Sequence, residues 1–176
     1  MKNIFALLMI GVIVLSCKNE PKHKVAPAHE SNKDLNETKN TIAATFSSTE
    51  AKQLYNDYLN LKAALVNTDF EKSRKEANTL AKNLEGKAAY KNIQMVASLI
   101  VSSKTIEKQR EFFVGLNEQT TTVLKAAISS GKIYQQYCPM AFDGKGGYWL
   151  SNSDEVRNPY FGDVMLVCGE VTKELE

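Results

Sequence analysis

The sequence predicts a mainly α protein, an up-down bundle of about four helices with a small C-terminal β-hairpin-like lobe. Three observations predict it. Apolar residues recur at helical spacing from Leu54 to Ala127. Short polar breaks separate the periodic stretches, and short connections favour antiparallel neighbours. Beyond Gly131 the texture changes to closely spaced aromatics and glycine-rich turns, the pattern of short strands.

The first 16 residues are expected to lie outside that fold. Lys2 supplies a positive start, and Ile4 to Leu15 forms an apolar run too short for a stable membrane anchor. The quartet Val14-Leu15-Ser16-Cys17 resembles a bacterial lipobox. That resemblance implies cleavage before Cys17, a diacylglyceryl group on its sulfur and a membrane partner reached through the lipid. The mature protein would then be extracytoplasmic, in the periplasm or cell envelope, with the outer membrane as its expected location. Residues 17–46 read as the lipidated cysteine and a disordered tether, with two of the four prolines, both histidines and few large apolar side chains. His23 and His29 are read as solvated tether residues.

The domain itself is assigned to residues 47–176. Ser47 and Glu50 fit a capping box, and Leu54, Tyr58, Leu61 and Leu65 give the first stripe. Asn67-Thr68-Asp69 breaks the run, Thr68 and Glu71 fit a second capping box, and Phe70, Ala77, Leu80, Ala81 and Leu84 follow. Gly86 is placed to end this helix. A third helix, at about 88–102, carries Ile93, Val96, Ala97 and Ile100. A fourth, at about 105–129, carries Ile106, Phe113, Leu116, Val123, Leu124 and Ala127, and Gly131 stops it. Lys62, Lys72, Lys75 and Lys82 fall off the stripes and read as solvated faces. In the lobe, IYQQYCPMAF, GYWLS and VMLVCGEV read as strands, with DGKGG and RNPYFG as turns. Pro139 forbids a helix there and keeps Cys138 extended.

Composition narrows the function classes. The net charge of +2, from 22 basic and 20 acidic residues, argues against a nucleic-acid partner, which calls for a basic face. Residues 47–176 contain no histidine, so Cys-His and Ser-His-Asp nucleophilic sites are unavailable. There is no CxxC, Walker loop or GxGxxG. Nothing points to an enzyme.

What remains is sulfur. Cys138 and Met140 are two apart, so an extended chain would project both from one face, and Met165 and Cys168 are three apart. Thiolates and thioethers are soft donors that select Cu(I) and similar ions. Three readings of the cysteines stay open: a disulfide worth roughly 3–4 kcal/mol, a soft-metal site, or two inert buried thiols. Trp149, Tyr160 and Phe161 lie in the aromatic loop as packing anchors or as contacts for a partner.

The stretch QYCPMAFDGKGGYWLSNSDEVRNPYFGDVMLVCGEV resembles the C-terminal signature of a Bacteroidetes family of unknown function. SKTIEKQREFFVGLNE resembles the helix that precedes it there, and the likeness covers about residues 50–171. Members of that family occur as small lipoproteins and fused to periplasmic adaptors of RND-type heavy-metal efflux pumps. YCPMA also resembles the YTCPMHP core of heavy-metal-binding domains, with Ala141 in place of the histidine. The resemblance implies a role near copper or heavy-metal handling, with efflux-pump components as partners. By position in the motif it implies Cys138, Met140, Met165 and Cys168 as ligands for Cu(I) or a similar ion.

Overall fold

The structure, a computed structural model, describes residues 33–176. Cys17, His23, His29 and the expected signal peptide lie outside the described residues. The protein is mainly α, with two small antiparallel sheets among the described residues. The helices are α1 (Thr49–Val66), α2 (Phe70–Asn83), α3 (Lys91–Ser102) and α4 (Ile106–Ala127). Helix α2 lies against α1 and α3, and α4 lies against α3 and α1. No helix among the described residues is long and apolar enough to cross a membrane.

The expected stripes form the core. Leu54, Tyr58, Leu61, Leu65, Leu80, Ile93, Ile100, Phe113, Leu116 and Leu124 are all buried, each large apolar side chain contributing about 1.5–3 kcal/mol. The caps sit one residue later than expected. Ser48, not Ser47, accepts the Ala51 amide; the Ser47 amide donates to the Ala127 carbonyl, which keeps Ser47 in line with strand β1 and starts the helix one residue later. Asp69, not Thr68, accepts the Lys72 amide at 2.9 Å. Thr68 instead takes a left-handed backbone with φ of 56°, and its Oγ1 accepts a bond from Arg110 Nη2.

Two further expectations are corrected. Lys62 is not on a solvated face but is 1% exposed. Burial first, then the neighbouring Arg157 charge, lowers its pKa to about 7 despite the opposing pull of Asp34. The segment 33–46, assigned to the tether, lies on the domain. The Leu35 amide donates to Asn67 Oδ1, the Lys39 amide to Glu155 Oε1, and the Ile42 amide to the Asn152 carbonyl. The strap touches α1 at both ends, with Phe46 against Tyr55 and Asp34 accepting from Asn67 Nδ2.

The segment ends in strand β1 (Thr45–Phe46), which pairs antiparallel with β2 (Ile128–Ser130). Thr45 Oγ1 lies 2.7 Å from Ser130 Oγ. Gly131 then turns with φ of +75°, and a Cβ there would stand 2.1 Å from the Ala43 carbonyl oxygen. The lobe is a three-stranded sheet rather than a hairpin: β3 (Ile133–Cys138) lies between β4 (Gly147–Ser151) and β5 (Glu170–Leu175), both antiparallel to it. VMLVCGEV is therefore not one strand. Residues Gly162–Met165 form a short 3₁₀ turn, and pairing begins only at Glu170. The loop folds back on itself through the Asn158 amide to the Leu166 carbonyl and the Gly162 amide to the Asn158 carbonyl, which leaves Val164 and Val167 exposed.

Candidate functional site

The lobe is fastened to the helices by two polar anchors. Tyr58 on α1 donates its hydroxyl to Asn117 Oδ1 on α4 at 3.0 Å and accepts the β4 amide of Leu150 at 2.9 Å. Arg110 on α4 donates from Nε to the Pro159 carbonyl and from Nη2 to the Leu65 carbonyl. Each replaces solvent at a backbone or amide group that would otherwise be buried unpaired.

Strand β3 presents Gln136 and Cys138 to one buried face, as the two-residue period requires. Gln136 Oε1 accepts the Trp149 indole N–H at 2.7 Å, and its Nε2 donates to the Ser153 carbonyl at 3.0 Å. Trp149 and Tyr160 meet edge to face, with centroids 5.8 Å apart, and the Tyr160 hydroxyl donates to the Tyr148 carbonyl. Trp149 is fully buried and Tyr160 nearly so, so neither is the partner contact offered by sequence. Both are packing anchors. Phe161 is half-buried.

Against this wall stand the cysteines. Cys138 ends β3 opposite Gly147 and is fully buried, while Cys168 is half-buried on the turn before β5. Their Sγ atoms are 3.0 Å apart and are not bonded to each other. Asn158 positions the turn, donating from Nδ2 to the Cys168 carbonyl at 2.8 Å. Gly169 lets it close: φ is +141°, and a Cβ would lie 2.8 Å from both the Trp149 ring and the Tyr137 carbonyl oxygen. The hydrogen bond with Cys138, then burial and the neighbour's charge, push the Cys168 thiol up.

The methionines sit apart from this pair. The strand stops at Cys138, so Met140 does not share its face. Met140 takes a helical turn conformation and is 55% exposed, and Met165 is also exposed. Both line one cavity of about 540 Å³, together with Glu107 and Arg110 of α4, Phe142 and Phe161. Phe142, the last residue of the segment IYQQYCPMAF read as a strand, and Asp143, the first of the expected DGKGG turn, are consecutive non-glycine residues in left-handed conformations, with φ of 53° and 57°. Phe142 is held there by an edge contact with Tyr160 at 5.1 Å. The backbone and acid bonds at the start of α4 matter too: its own amide and Thr105 hold the Glu107 carboxyl below the usual range.

The donor set therefore divides into two thiols in contact and two thioethers sharing a cavity. Two thiolates about 2.3 Å from one ion stand roughly 4 Å apart, so an ion between these sulfurs needs them to separate by about 1 Å. Among the described residues no group of three or more His, Cys, Asp or Glu side chains is placed to hold a metal. The anchors Tyr58, Arg110, Gln136 and Asn158 were not foreseen. Gln136 and Asn158 lie inside the quoted C-terminal signature, Arg110 inside the helix that precedes it, and Tyr58 in the first apolar stripe, but none of these patterns marks a hydrogen-bonding role.

Residues 54–131 match a family described as a protein of unknown function, DUF3347. The match spans the helices from within α1 to the residue after β2, and ends before the cysteines. No curated protein and no solved structure matches the chain.

Proposed function

We propose that the protein is an extracytoplasmic lipoprotein, anchored through Cys17, that binds a soft ion such as Cu(I) or Ag(I) in support of heavy-metal efflux. Cys138 and Cys168 are the thiolate ligands, and Met140 and Met165 extend the shell from the cavity side. Its role is binding rather than catalysis, and its four helices run up and down so that the lobe caps one face. One observation carries the reading: the two cysteine sulfurs stand 3.0 Å apart against a buried wall, and both methionines line one cavity. Two soft thiolates suffice for an ion that tolerates low coordination numbers.

Calorimetric titration of reduced protein with Ag(I) tests it. About one ion should bind per chain, with proton release as the thiols ionise. Cys138→Ser should remove most of the affinity, and Met140→Leu and Met165→Leu should weaken binding with little effect on the fold. No uptake by reduced wild type refutes the site, and methionine variants that match wild type remove the thioethers from it.

The 3.0 Å separation also favours a second reading, a structural or protein-interaction domain closed by a Cys138–Cys168 disulfide in an oxidising compartment. A free-thiol assay on protein isolated from the cell envelope separates the two: two thiols support the metal site, none the disulfide.

A further inference from the structure

The two cysteines differ in a way that neither reading above requires. Cys138 is fully buried at the end of the central strand, in the same core cluster as Trp149 and Tyr160. Cys168 lies on the turn between the 3₁₀ segment and β5, half-exposed, flanked by the exposed side chains of Met165 and Val167. Its backbone is held locally, by its amide bond to the Met165 carbonyl and by Asn158 on its carbonyl. One sulfur belongs to a partly exposed residue, and the other is fully buried 3.0 Å from it.

We propose that Cys138 and Cys168 form a one-sided thiol–disulfide exchange pair, in which Cys168 meets a small external disulfide and Cys138 resolves the product. The Cys168 thiolate attacks one sulfur of RS–SR. The S–S bond of the small disulfide breaks, and one RS⁻ leaves and takes up a proton as RSH. Cys138 then loses its proton and attacks the Cys168 sulfur from 3.0 Å away. The mixed disulfide breaks, the second RSH leaves, and the Cys138–Cys168 bond forms. Two protein thiols have lost two electrons and two protons, and one disulfide has become two thiols. A dithiol reductant reverses the sequence, again through Cys168. The inference rests on access to the sulfurs and stands whether or not an ion binds. Where one does, oxidation withdraws both thiolates from it.

The test uses full-length reduced protein with Cys17→Ser, so that this pair carries the only thiols, and glutathione disulfide as the probe. The pair should close to an internal disulfide with release of two glutathione molecules per chain. Added Cys138→Ser should stop at a stable glutathione adduct on Cys168. Added Cys168→Ser should react at least about tenfold more slowly, because a buried sulfur must wait for local opening. Equal rates for the two variants, or a stable adduct on the protein that keeps both cysteines, overturn the proposal. Should a serine variant not fold, brief native alkylation of the two-cysteine protein with N-ethylmaleimide and peptide mapping decides it. Cys168 should be labelled in excess over Cys138 by the same factor, and equal labelling refutes the one-sided order.

Discussion

Replacing Lys62 with methionine removes a charge from the interior while keeping nearly the same length and stem. The wild-type amine is 1% exposed, and its pKa falls from the ordinary 10.5 to about 7, mainly through burial, with Arg157 adding to the effect and Asp34 opposing it. A depression of that size costs on the order of 4–5 kcal/mol at neutral pH, an upper bound once local hydration is allowed for. Below about pH 7 the amine is protonated in both the folded and the unfolded chain, and the penalty is present in full. Between about 7 and 10.5 the unfolded chain holds a proton that the folded protein lacks, so wild-type stability climbs with pH. Lys62→Met should therefore be more stable than wild type at pH 7, by on the order of 2–4 kcal/mol, with Tm higher by about 5–10 °C. The gap should be flat below pH 7 and shrink steadily towards pH 10. Urea unfolding of both proteins, followed by circular dichroism at several pH values from 6 to 10, measures it. A gap that does not vary with pH, or a variant less stable than wild type at pH 7, refutes the reasoning.

Two other outcomes are expected. Tyr58→Phe should cost about 2–4 kcal/mol, because it strands both the Leu150 amide and Asn117 Oδ1 in the interior; a loss below about 0.5 kcal/mol in urea unfolding would show that the lobe is not anchored there. Cys17→Ala should abolish incorporation of labelled palmitate in cells, and equal labelling of variant and wild type would end the lipoprotein reading.

The helices could be read from sequence because their signal is local. Leu54, Tyr58, Leu61 and Leu65 repeat at a period that one helix face imposes whatever packs on it. The capping residues were misplaced by one because Ser47 and Ser48, and Thr68 and Asp69, are neighbours each able to cap a helix. The choice between them is made by the distant Ala127 carbonyl and Arg110 side chain. Lys62 was misread because the burial of this off-stripe position comes from tertiary packing, which local periodicity does not register. The reading of VMLVCGEV as one strand followed its apolar content, but Asn158 and Gly162 hold residues 158–168 in a turn. The two cysteines could be picked out as a pair, but not as one buried and one open sulfur. That difference comes from Cys138 lying in the central strand and Cys168 in a turn.

The pairing of β1 with β2 joins residues on either side of the four helices, Thr45 opposite Ser130. The helical segment thus begins and leaves at a single point, like a loop drawn through a ring. A segment with adjacent ends can be spliced into a surface turn of another protein without pulling that host apart. The boundaries for such a transplant are already drawn: Thr45 and Gly131 bound the helical stretch, and the family match, residues 54–131, falls within those bounds. The lobe shares one core with that segment through Trp149, Leu150 and Tyr160, so a transplanted segment needs a host surface that covers Tyr58 and Phe113 in its place.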